Sequence, residues 1–222
     1  MRWTIPNILT VIRLLAAPAV ALSFAVFPRP FADLLAVILF VGAAVTDYLD
    51  GYLARRFDWG TSFGKMLDPI ADKAMVIIAL TVVVGVMGMT PLIIVPVAAI
   101  LLREVFVSGL REFLGADAAR LQVTKLAKWK TTVQMIAIPV LMVSNLFAWM
   151  AIMAFNQLGV EAGEAVLSGA APDDLGLLAA HQLASWTRWL GLAMLWIAAG
   201  LTLVTGFDYL RKAMPFMRER EG

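Results

Sequence analysis

No charged residue occurs between positions 74 and 102 of this chain. Crossing about 30 Å of hydrocarbon takes roughly 20 apolar residues in a helix. The run exceeds one span, since as a single helix it would extend about 43 Å at 1.5 Å per residue. Gly85, Gly88, Thr90 and Pro91 interrupt it, and proline belongs in the first turn of a new helix, so the run divides into two arms. Residues 14–28, 34–46, 131–160 and 189–207 are likewise uncharged. Extending each stretch by a turn or two predicts six transmembrane helices, at about 7–27, 31–56, 62–88, 91–115, 126–152 and 184–212.

Composition points the same way. Of the 222 residues 61% are apolar and 15% charged, with a mean hydropathy of +0.85, against roughly 45–50% and about 25% for soluble domains. One soluble core of this size could not hide that much apolar surface. The expected fold class is all-α, an integral membrane bundle of six transmembrane helices forming one domain over residues 1–222. The absence of cysteine excludes disulfides, thiolate catalysis and Cys-ligated zinc. A single histidine, His181, leaves little room for His-based triads and reads as an interfacial residue.

Charge sets the orientation. Cations such as Arg2, Arg55, Arg56, Lys65, Arg120, Lys125 and Arg218 gather at the termini and in the second and fourth connections, whereas the other connections carry Arg29 and the acids Glu161, Glu164, Asp173 and Asp174. The positive-inside rule then makes both termini cytoplasmic, as an even number of spans requires. The Gly-, Ala- and Asp-rich stretch 153–183 is expected as an external loop insert. The first residues superficially resemble a signal peptide, but Arg13 interrupts the apolar run and Asn7 and Thr10 lie within it, which favours a retained first helix.

Ionisable groups inside a membrane are costly, and each is a functional candidate. The segment TDYLDGYLARRFDWGTSFGKMLDPIADK holds Asp47, Asp50, Asp68 and Asp72. The first pair is spaced i, i+3 and the second i, i+4, so each projects from one helical face. A turn at Trp59 and Gly60 would fold the third helix beside the second and bring the acidic faces together. Four converging carboxylates repel unless something neutralises them. All-oxygen ligands suit hard cations, which points to Mg²⁺ or Mn²⁺; four acids suffice for two ions, an arrangement suited to phosphoryl transfer. The bland account makes the acids helix caps or partners of Arg55, Arg56, Lys65 and Lys73 in a solvated turn. A divalent-cation transport site is a third account. It would place acids near the bilayer midplane, commonly with an inverted repeat, whereas here they cluster at one end and no repeat is evident.

The pattern Asp47-x2-Asp50-Gly51-x2-Ala54-Arg55-x8-Gly64-x3-Asp68-x3-Asp72 resembles, without departure, the signature of the CDP-alcohol phosphotransferase family. The runs IPNILTVIR, REVFVSGLREFLG and KLAKWKTTVQM are similar to the branch of that family whose acceptor is glycerol 3-phosphate. The resemblance implies that the four aspartates hold two divalent cations and that Asp72 is also the general base. It implies that Gly51 admits the nucleotide close to the backbone and that Arg55 contacts the diphosphate. Asn7, Thr10, Thr61 and Gly64 are implied to line the CDP-lipid site. The implied partners are CDP-diacylglycerol, sn-glycerol 3-phosphate and membrane lipids, with no nucleic acid and a second copy of the chain in a homodimer. The implied location is a bacterial-type inner membrane with the active site facing the cytoplasm. The family also uses inositol phosphate, serine or phosphatidylglycerol as acceptors.

A phosphorylated acceptor needs its own basic pocket, and Arg103, Arg111, Lys128 and Lys130 are the candidates. Residues eight apart on a helix differ by about 80° in direction, so Arg103 and Arg111 can share a broad face. Lys128 and Lys130, two apart, point different ways. Arg103 is equally suited to pairing with Glu104 to brace helix packing, and Arg120 and Lys125 to binding anionic headgroups.

Overall fold

The computed structural model describes residues 4–57, 61–115 and 125–218. Among them every element is helical: α1 (Ile5–Val26), α2 (Phe31–Phe57), α3 (Ser62–Met87), α4 (Pro91–Leu114), α5 (Lys125–Leu158), α6 (Val160–Leu167) and α7 (Leu177–Arg218). Six of these, all but α6, are long and apolar enough to cross a membrane. The division of the longest uncharged run falls where glycine and proline place it: α3 ends at Gly88, whose φ is +87°, and Pro91 opens α4.

Helix α1 packs on both α2 and α3, α7 packs on both α5 and α4, and α2 and α3 join the two groups through α5. Small side chains allow the close approach. Ala17 of α1, Ala36 and Ala43 of α2 and Ala79 of α3 are buried in the main core with Phe40, Leu80, Ile100, Ile138, Leu141 and Leu195. In a membrane such packing, rather than expulsion from water, drives helix association. At Gly191 of α7 an added methyl would lie 2.7 Å from the side chain of Leu141, so the packing of α5 on α7 leaves no room for a side chain there.

The 153–183 stretch is a correction to the sequence reading: most of it is helix, not loop. The residues AIMAFNQL contain no helix breaker, so α5 runs on until Gly159, at φ +81°. Helix α6 follows, and α7 begins at Leu177, seven residues before the expected start. Asp173 explains that early start, because its Oδ2 accepts hydrogen bonds from the backbone N–H groups of Leu178 and Ala179 and so satisfies donors that a helix N-terminus leaves unpaired. Ala151, Ala154, Val166, Leu177 and Ala180 form a satellite core at this end of the bundle. A second satellite core, with Val107, Leu110, Leu114, Tyr209 and Ala213, sits at the opposite end of α7.

Candidate active site

One face of α1 builds the site. Asn7, Thr10 and Arg13 recur every three residues, so they line up along the helix, and each is at most 2% exposed. A turn further on the same side of α1 becomes apolar, at Ala17 and Val20. The polar half of this face meets the ends of α2 and α3 that carry the four aspartates.

Arg13 lies at the centre. Its Nη1 donates to Asp72 Oδ1 at 2.6 Å and stands 2.7 Å from Asp47 Oδ1, while its other terminal nitrogen pairs with Asp50. Thr10 reaches the fourth acid, with Oγ1 donating to Asp68 Oδ1 at 2.6 Å. The two acidic pairs on α2 and α3 are therefore gathered at one end of the bundle by two side chains of α1. Asp50 is buried, whereas Asp47 and Asp72 keep about half of their side-chain surface open.

Next to this cluster Thr61 caps α3. Its Oγ1 accepts from Gly64 N–H at 3.1 Å and donates to Asn7 Oδ1 at 2.8 Å. Gly64 has to be small, because a Cβ there would stand 2.8 Å from Asn7 Oδ1. Asn7 of α1 and Thr61 and Gly64 at the start of α3 thus meet beside the acids, with Thr10 one turn along α1 reaching Asp68. Gly51 lies in α2, one residue after Asp50, and is partly buried. The side chain of Arg55 and the turn at Trp59 and Gly60 lie outside the described residues.

The donor set suits a hard divalent cation: three carboxylates face one guanidinium, a fourth, Asp68, accepts from Thr10, and the oxygens come from two helices braced by a third. Among the described residues no three acidic side chains converge closely enough to hold an ion as they stand; Arg13 is seated between them. Sequence reading noticed Arg13 without assigning it to the site. The available signal was its position within a spanning helix, where an unpaired arginine is costly.

Among the four candidate acceptor residues, Lys130 lies within electrostatic reach of both Arg103 and Arg111. Arg103 Nη1 donates to Glu104 Oε1 at 3.1 Å, and buried Lys130 pairs with the same carboxylate oxygen. Arg111 stacks over the ring of Tyr209, 5.4 Å from its centroid. Lys128 is exposed on α5. Four buried polar atoms on these helices have no hydrogen-bond partner: Arg103 Nε, Gln134 Oε1, Thr202 Oγ1 and Tyr209 Oη. An apolar groove of about 550 Å³ runs between α2, α5 and α7 from Val37 to Tyr48, the residue after Asp47. A larger cavity of about 650 Å³ includes Met87, Asn145, His181 and Arg188 and lies at the far end, away from the acids.

This chain belongs to the CDP-alcohol phosphatidyltransferase family, whose pattern it matches over residues 3–160, the part that contains α1–α5 and all four aspartates. Among its relatives, a protein of Cereibacter sphaeroides is 53% identical over 221 residues covering the whole of both chains. One of Rickettsia bellii is 36% identical over 93% of each chain, and one of Pseudomonas fluorescens is 34% identical over 96% of this chain and 92% of its own. All three bear the name CDP-diacylglycerol–glycerol-3-phosphate 3-phosphatidyltransferase.

Proposed function

We propose that this multi-pass membrane protein transfers the phosphatidyl group of CDP-diacylglycerol to sn-glycerol 3-phosphate, giving phosphatidylglycerol phosphate and CMP. The observation that carries the reading is the gathering of Asp47, Asp50, Asp68 and Asp72 at one end of the bundle, in a chain that matches relatives named for this reaction over 93% or more of its length. Asp47, Asp50, Asp68 and Asp72 would hold two divalent cations, Mg²⁺ or Mn²⁺, which would supply positive charge to offset the negative charge developing on the departing CMP.

The chain's own residues supply the rest. Half-exposed Asp72 takes the proton of the acceptor hydroxyl as its oxygen forms a bond to the β-phosphorus and the bond to the CMP oxygen breaks. A carboxylate beside cations is a weak base, yet sufficient for a hydroxyl that loses its proton during attack. Asn7, Thr10, Thr61 and Gly64 form the rim for the cytidine and its phosphates, Gly51 leaves room for close approach, and Arg55 matches a phosphate-binding position. The groove that ends at Tyr48 gives an acyl chain an apolar path away from the acids, which suits a lipid-linked nucleotide.

The acceptor's phosphate is assigned to the α4–α5–α7 region. Arg111 and Lys128 carry positive charge there, Arg103 and Lys130 balance Glu104, and the unpartnered Tyr209 Oη and Gln134 Oε1 are poised for a polar ligand. The charge distribution along the chain supports an orientation with both termini and the active site in the cytoplasm of a bacterial inner membrane. The enzyme is expected to work as a homodimer. The purified protein, given CDP-diacylglycerol and a panel of alcohols, tests the reading through CMP release. Glycerol 3-phosphate is expected to be the preferred acceptor; preference for inositol phosphate, serine or phosphatidylglycerol would refute it.

A further inference from the structure

Arg13 is 2% exposed in a membrane-spanning helix and touches three of the four aspartates. Arginine frequently pairs with a single carboxylate through two parallel hydrogen bonds. Arg13 instead spreads its terminal nitrogens over Asp47, Asp50 and Asp72, on two helices, and its buried Nε has no partner. Among the described residues no other cation is paired with these acids. Without it, four carboxylates would crowd the edge of the hydrocarbon, where like charges strongly oppose one another.

We propose that Arg13 is an exchangeable counter-ion: in the metal-free enzyme its guanidinium holds the acid cluster together, and it gives up those carboxylates when divalent cations bind. Arg13 is thus a positioning residue that keeps the site assembled between metal-loading events, and its charge competes with the metal. The inference rests on the assignment of the aspartates as metal ligands. It fixes the sign of a mutational effect. Removing the Arg13 charge makes the cluster more negative and strengthens metal binding, whereas removing a mere structural prop loosens the ligands and weakens it.

The test is Mn²⁺ binding to the purified full-length protein in detergent without substrate, read from the paramagnetic resonance signal of free Mn²⁺. Arg13→Gln is expected to bind about tenfold more tightly or better, given the size of one unit charge at contact distance. Arg13→Lys, which keeps the charge, is expected to stay near wild type. Melting temperatures in saturating Mn²⁺ establish that the variants are folded. If Arg13→Gln does not fold, the wild type still decides the matter: Mg²⁺ is expected to shift the Arg13 side-chain nitrogen resonances, identified by their loss in Arg13→Lys, and unmoved resonances overturn the proposal. Equal or weaker binding by folded Arg13→Gln, or tightening by Arg13→Lys to the same extent, overturns the counter-ion role alone. A wild type that binds no Mn²⁺ overturns the metal-ligand assignment as well.

Discussion

Replacing Gly64 by alanine separates the scaffold from the substrate site. The new Cβ would stand 2.8 Å from Asn7 Oδ1 and 3.5 Å from Thr61 Oγ1, and these two oxygens share a hydrogen bond of 2.8 Å. Asn7 must turn its amide aside, which removes that bond. A buried acceptor deprived of its donor costs about 1–3 kcal/mol, and alanine in place of glycine returns about 1 kcal/mol of helix propensity. The net loss of stability is therefore about 0–2 kcal/mol, a shift of only a few degrees in Tm for a chain of this size. Asn7 and Thr61 form the rim assigned to the CDP group, so the larger effect falls on substrate. The KM for CDP-diacylglycerol is expected to rise about tenfold, equivalent to about 1.4 kcal/mol, while the KM for glycerol 3-phosphate stays unchanged. Steady-state CMP release, with each substrate varied in turn, measures both. An unchanged KM for the lipid, or equal rises for both substrates, would refute the assignment of this rim.

Asp72→Asn removes the proposed base and is expected to lower kcat at least about 10²-fold while the protein still binds CDP-diacylglycerol; near-normal turnover would remove Asp72 from that role. Arg111→Ala abolishes the charge stacked on Tyr209 and is expected to raise the KM for glycerol 3-phosphate far more than that for CDP-diacylglycerol, whereas equal effects would argue against a separate acceptor pocket. Gly191→Ala inserts a methyl 2.7 Å from the Leu141 side chain and 3.3 Å from its backbone nitrogen, which should cost about 1–3 kcal/mol by overpacking. A lower melting temperature in detergent is the expected readout, and an unchanged one would show that α5 and α7 can part freely.

The six spans were legible because each is built around an uncharged apolar stretch, and because Gly88 and Pro91 mark the one ambiguous division. The extension of α5 to Leu158 was not, since an apolar helix that outruns the membrane has no local signal for where the hydrocarbon ends. Gly and Asp in 153–183 suggested loop, yet Gly163 is there because Phe155 packs against it, 2.6 Å from where a Cβ would lie, and Asp173 because it caps α7. The acids were legible from spacing alone. The role of Arg13 was not: its partners are 34 to 59 positions away, and only the packing of α1 between α2 and α3 brings them together. The pairing of Lys130 with Glu104 was hidden in the same way, because it joins α5 to α4 across 26 residues.

Crystals of the enzyme soaked in Mn²⁺ and measured at the manganese absorption edge test the central claim directly. Two anomalous peaks are expected between α2 and α3, each about 2.0–2.6 Å from carboxylate oxygens of Asp47, Asp50, Asp68 and Asp72. Manganese bound only elsewhere, or absent from an enzyme that still turns over, would contradict it.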